Sequence, residues 1–118
     1  MLLFLIIPPA LLDTVVVTSV NPASINRDPG NTFLITATCT GDDALPFNGD
    51  VYAEYGASST QDGIDYTSFT SPATCTDGSV SILLTVLSGM PSGQLVHIEL
   101  KASPGGTVLD TQIVDFDG

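Results

Sequence analysis

The sequence predicts an all-β protein: an immunoglobulin-like antiparallel β-sandwich of about seven strands, preceded by an apolar N-terminal arm. Three observations lead there. Apolar residues recur at every second position: Val80, Ile82, Leu84 and Val86 fall on one face of an extended segment, and Val96, Ile98, Leu100 and Ala102 on one face of the next. A strand holds that spacing on one side by its pleat, whereas a helix scatters it. The chain also carries 11 Gly and 8 Pro, which cluster in the breaks between such segments, as tight turns require. Finally, the positions facing away from the apolar rows are mostly Thr and Ser, residues that suit a solvated sheet face.

Residues 1–12, Met-Leu-Leu-Phe-Leu-Ile-Ile-Pro-Pro-Ala-Leu-Leu, show neither charge nor alternation. A secretory signal wants basic residues in front and a small-residue cleavage site behind, and both are missing. A membrane span needs about 20 apolar residues; here Asp13 stops the run and Pro8-Pro9 breaks a helix. A plain core strand would show a polar face. The favoured reading is a strand formed by Leu2, Leu3, Phe4, Leu5, Ile6 and Ile7, covered on both faces by another copy of the chain and followed by a stiff Pro-Pro joint.

The sandwich domain is expected over residues 13–118. Residues 13–20 read as its first strand, ended by Asn21-Pro22. After the Asp28-Pro29-Gly30 turn, residues 31–40 form the cleanest strand, with Phe33, Ile35, Ala37 and Cys39 inward. Residues 41–49 are a loop. Residues 50–56 are a strand, with Val51, Ala53 and Tyr55 opposite Tyr52 and Glu54. A polar stretch over 57–62 and a short segment over 64–70 follow. Residues 79–102 are expected to form a central antiparallel hairpin around the break at Gly89–Gly93, and residues 107–116 the last strand. No helix longer than a turn is expected.

The formal net charge is -11, with 13 acidic residues against Arg27 and Lys101. No basic patch exists to displace counterions from phosphate, which excludes nucleic acid as a partner, and anionic membrane surfaces would repel the chain. Cys39 and Cys75 sit in matching contexts, Ala-Thr-Cys-Thr-Gly and Ala-Thr-Cys-Thr-Asp. A disulfide between them is expected, which would place the protein outside a reducing cytosol; the alternative is two small buried hydrophobes. One histidine and no close ligand pair argue against zinc.

From Val51-Tyr52-Ala53-Glu54-Tyr55 through Gly63-Ile64-Asp65-Tyr66 to Val114-Asp115-Phe116-Asp117, the chain resembles Calx-beta modules. Its opening, Val17-Thr18-Ser19-Val20-Asn21-Pro22-Ala23-Ser24-Ile25, is similar to bacterial and archaeal immunoglobulin-like surface repeats. Both resemblances imply a sandwich. The first implies calcium, with Asp115 and Asp117 matching the family's closing acids. The family's acidic loop is replaced here by Ser88-Gly89-Met90-Pro91-Ser92-Gly93, which has no carboxylate, although calcium wants six to eight oxygens. Asp62 and Asp65, with Asp42 and Asp43, could supply a site only if their loops converge. Solvated turn aspartates are the preferred reading, and no cofactor is expected.

Catalysis finds little support. His97 falls on the polar side of its strand, no Ser-His-Asp set can be assembled, and Ser92 lacks the glycine two residues before it that a nucleophile elbow needs. Tyr52, Tyr55 and Tyr66 suit core or tyrosine-corner roles better than a binding surface. The expected function is a non-enzymatic extracellular subunit of a pilus-like or thread-like filament. Its arm would complete a neighbour's sheet, giving a homopolymer with no membrane span in the assembled state. The alternatives are a virion structural or decoration protein and an adhesion module of a larger surface protein.

Overall fold

The computed structural model describes residues 12–21, 25–41 and 43–117; the arm expected at Leu2–Ile7 lies outside them. Among the described residues nine strand segments and one short helix occur in the order β1 (Leu12–Asn21), β2 (Ile25–Asn26), β3 (Thr32–Gly41), β4 (Gly49–Tyr55), α1 (Gln61–Asp65), β5 (Thr67–Phe69), β6 (Ala73–Cys75), β7 (Ser79–Val86), β8 (Leu95–Lys101) and β9 (Val108–Asp117). They make two sheets. One has four strands in the order β1-β3-β7-β5, and the other five in the order β2-β9-β8-β4-β6. All pairs are antiparallel except β2, which meets the end of β9 in parallel at Ile25↔Phe116 and Asn26↔Asp117. The expected all-β sandwich is therefore the observed architecture.

The core between the sheets follows the period-two rows. Phe33, Ile35, Ala37 and Cys39 of β3 and Val80, Ile82, Leu84 and Val86 of β7 enter it from the four-stranded sheet. Val51 and Ala53 of β4, Val96, Ile98 and Leu100 of β8, and Val114 and Phe116 of β9 enter from the other. Each such side chain removes apolar area from water at about 25 cal/mol per Å², which is what pins the register of every strand.

The hairpin expected over 79–102 does not form. β7 and β8 lie in different sheets, and the segment between them arches across the end of the sandwich. Alternation specifies which face a strand buries but not which neighbour it pairs with, so both arrangements satisfy the same pattern. Met90, buried in the middle of the break, plugs the arch, and the Arg27 guanidinium donates to its carbonyl at 3.0 Å. Ala102 is exposed beyond the end of β8 instead of extending the inward row.

A tight hairpin turn does occur one strand earlier. Asp77 and Gly78 both take positive φ, 51° and 78°. Thr76 and Ser79 exchange backbone bonds of 2.8 and 3.1 Å around them. This is the two-residue primed turn that an Asp-Gly pair favours. Past it the chain splays, β6 joining β4 and β7 joining β3. Across the polar stretch expected over 57–62 and the segment expected over 64–70 lie α1, which straddles the two, and β5. Thr60 caps α1 by accepting the Gly63 N–H at 3.2 Å.

Candidate functional site

Sheet edges are the features of this fold most open to a partner, because an unpaired row of N–H and C=O groups templates another strand. Several are closed locally. Where β4 stops short along β8, Ser59 and Thr60 continue its work: the His97 N–H donates to Ser59 Oγ at 2.9 Å, and the Leu95 N–H to Thr60 Oγ1 at 3.1 Å. The Thr60 N–H returns a bond to the Leu95 carbonyl at 2.8 Å. On the far side of β4, the Ala53 N–H donates to Ser71 Oγ at 3.0 Å beyond the end of β6. Beside β7, Thr70 extends β5, its hydroxyl accepting from the Leu83 N–H at 3.3 Å.

Two longer edges remain. β1 runs ten residues along β3, but register shifts at Leu12/Thr14 and Val17/Ser19 kink it. Bulges of that kind blunt an edge. β9 pairs with β8 from Val108 to Asp115, its one irregularity lying at the Leu100/Lys101 end. Among the described residues only β2 is paired with its outer side, at Phe116 and Asp117, and β1 of the other sheet packs close to β9. From Thr111 to Asp115 the strand keeps an even register with β8, no other described strand pairs with it, and Ile113 is exposed beside it.

Cys39 and Cys75 form the expected disulfide, with Cα atoms 6.4 Å apart. The bridge fastens β3 of one sheet to β6 of the other, and both cysteines are fully buried. Beside it, the Cys39 N–H donates to the Gly78 carbonyl at 2.7 Å, so bridge and turn brace one corner.

Four acids were candidates for calcium, two on α1 and two on β9. Asp62 and Asp65 are exposed on α1, where Asp65 accepts from Gln61 at 2.9 Å. Asp115 is exposed on β9 opposite Leu95, and Asp117 ends the same strand. Among the described residues, no three His, Cys, Asp or Glu side chains are grouped to hold a metal ion. Asp43 behaves as a turn aspartate, accepting the Leu45 N–H at 3.0 Å. Nor do the tyrosines share one surface. Tyr52 pairs with Lys101 across the outer face, Tyr66 caps α1, and Tyr55 points inward.

Sequence reasoning missed an internal relay joining α1 to both sheets. The Thr67 hydroxyl donates to the Gly63 carbonyl at 2.6 Å, which leaves its oxygen to accept from Tyr55 Oη at 2.8 Å. The Tyr55 ring meets Phe69 with centroids 4.6 Å apart. Burial raises the Tyr55 phenol above its ordinary value, against the opposing pull of the Thr67 bond. The Gly-x-Asp-Tyr spacing was its one outward sign. A Cβ on Gly63 would lie 2.9 Å from the Leu95 carbonyl, so only glycine lets α1 approach β8 this closely.

Among the described residues no helix is long and apolar enough to cross a membrane. No protein-family model matches the chain, and no curated protein does. Among solved structures it is similar to a crystal structure of the S-layer protein SbsC, domains 4 and 5. The identity is 14% and the TM-score 0.58, over 92% of this chain and 54% of that one. A longer crystal structure, rSbsC(31-844), is similar at 14% identity and a TM-score of 0.49, over 92% of this chain and 13% of that one. The chain thus spans about half the length of the first of these structures. The first likeness establishes a shared β-sandwich fold.

Proposed function

We propose that this chain is a non-enzymatic structural module of an extracellular surface assembly, joined to copies of itself by strand addition. The apolar segment Leu2–Ile7 of one copy would lie along β9 of the next. The observation that carries this reading is the outer edge of β9 from Thr111 to Asp115, which no other described strand pairs. Its length suits a short strand, and main-chain bonding would supply affinity without any cofactor. Because donor and acceptor are different surfaces, the contact is head-to-tail and propagates into a filament. The Cys39–Cys75 bridge supports a location outside the reducing cytosol. The likeness to an S-layer protein supports a structural role at a surface.

A second reading is a single module within a longer surface protein. It is favoured by the chain's match to about half of a two-domain S-layer structure. Deleting residues 1–9 separates the two. Strand addition expects the full chain to give filaments in electron micrographs and the deleted chain to sediment as monomers. An unchanged oligomeric state after deletion would sink it.

A further inference from the structure

Charge is distributed unequally between the two sheets. The strands of the five-stranded sheet carry six acidic residues, Asp50, Glu54, Glu99, Asp110, Asp115 and Asp117, and one basic residue, Lys101. The four strands of the other sheet carry one charged residue, Asp13 near the start of β1. Along β3 and β7 the outward side chains form a cross-strand ladder in which Thr36 faces Ser81, Leu34 faces Leu83, and Thr32 faces Thr85. Leu83 is 38% exposed, so an apolar spot sits in the middle of a β3–β7 ladder otherwise lined by hydroxyls.

From this asymmetry we propose that the outer face of the four-stranded sheet is a lateral contact surface for a second copy of the same face. The partner follows from charge. In a chain of net charge -11, two copies approaching by other faces bring carboxylates together, and this face brings none from β3, β5 or β7. The anatomy along β3 and β7, an apolar centre flanked by uncharged hydroxyls, is that of a self-complementary interface. Area sets the strength. Four strands spaced about 4.8 Å apart and averaging about 26 Å in length offer roughly 500 Å² per copy. That is less than the ~800 Å² per partner of a stable complex. A lone pair of copies would hold weakly, whereas copies already joined in a row would bundle side by side through many repeats of the contact. The bundling rests on the strand-addition reading; the pairing of faces does not.

The test uses the full chain and three variants: Ser81→Asp, Ser81→Thr, and the arm substitution Phe4→Asp with Ile6→Asp. Sedimentation velocity and negative-stain micrographs are recorded between 0.02 and 0.5 M NaCl, a range chosen to span Debye lengths from about 20 to about 4 Å. Wild type and Ser81→Thr should bundle laterally, more so as salt screens the remaining carboxylates. Ser81→Asp should weaken the lateral contact tenfold or more while leaving end-to-end joining and far-ultraviolet circular dichroism unchanged. The arm variant should lose end-to-end joining yet still pair by its faces at high protein concentration. Bundling by Ser81→Asp equal to wild type would overturn the proposal. So would wild-type filaments that stay single at every salt concentration, a result that leaves strand addition standing.

Discussion

Lys101 Nζ lies 2.6 Å from Glu54 Oε1 and 3.5 Å from Glu99 Oε1, a lysine placed between two carboxylates that β4 and β8 set directly opposite each other. Glu54 also accepts the Gly105 N–H at 3.2 Å, which ties the turn between β8 and β9 to β4. The bond from Lys101 chiefly lowers the Glu54 carboxyl below its ordinary value, partly opposed by burial, with the Gly105 bond adding to the lowering. The same pair raises Lys101.

The pH dependence follows from those directions. Glu54 binds its proton less tightly folded than unfolded, so its contribution is complete above the ordinary carboxylate pKa and is lost as pH falls through the lower folded value. Lys101 contributes fully below the ordinary lysine pKa and loses that contribution as pH rises through its raised folded value. Lys101→Met should therefore lower the urea midpoint at neutral pH, where Glu54 and Glu99 repel unshielded. The deficit should shrink in acid as Glu54 protonates, and also in high salt. Glu54→Gln should flatten the acid limb of the wild-type profile. Midpoints measured from pH 2 to 11 check both outcomes.

The Cys39–Cys75 bridge closes a loop between residues 36 apart, for which chain entropy gives a stabilisation of about 3 to 4 kcal/mol. With both cysteines at 1% exposure or less, a thiol reductant should act only when the sandwich opens. The paired substitution Cys39→Ala with Cys75→Ala should cost roughly that amount in urea unfolding. Dithiothreitol should reduce the wild type slowly in buffer and quickly near its unfolding midpoint. Rapid reduction under native conditions would contradict the buried corner.

Thr67 is a polar residue buried at the junction of α1, β4 and β5. Thr67→Val keeps its shape and removes the hydroxyl, leaving the Gly63 carbonyl without its 2.6 Å donor and Tyr55 without its closest partner. Stranding buried polar groups in this way costs about 1 to 3 kcal/mol. Thermal melts should register that loss. Thr67→Ser, which restores the donor, should recover most of it.

Inward rows were legible wherever side chains alternate, because burial imposes a period that propensity alone does not. β3, β7 and most of β8 follow that rule. Pairing was less legible. Val80–Val86 and Val96–Leu100 predict two faces toward one core and are silent on whether their strands share a sheet. The short segments β2, β5 and β6 hold two or three residues each, too few to show any period. The disulfide was anticipated from matching contexts, whereas the Thr67 relay depends on residues that meet only after folding. The β9 edge emerges from topology and is invisible in its own residues. Asp77-Gly78, by contrast, carried a readable turn signal that was overlooked because β6 before it is so short.

Gly78 and Gly105 separate two reasons for glycine at a turn. Both take positive φ, 78° and 69°. A Cβ at Gly105 would meet nothing within 4 Å, whereas at Gly78 it would lie 2.9 Å from the Pro46 Cβ and 3.3 Å from the Cys39 carbonyl. Gly105→Ala should therefore cost only the left-handed backbone term, about 1 kcal/mol. Gly78→Ala adds a collision with Pro46 beside the disulfide corner and should cost about 2 to 3 kcal/mol. Chemical denaturation of the two variants reads the difference directly. Equal losses would mean that Pro46 yields freely and that the corner around Cys39 is less tightly packed than its geometry indicates.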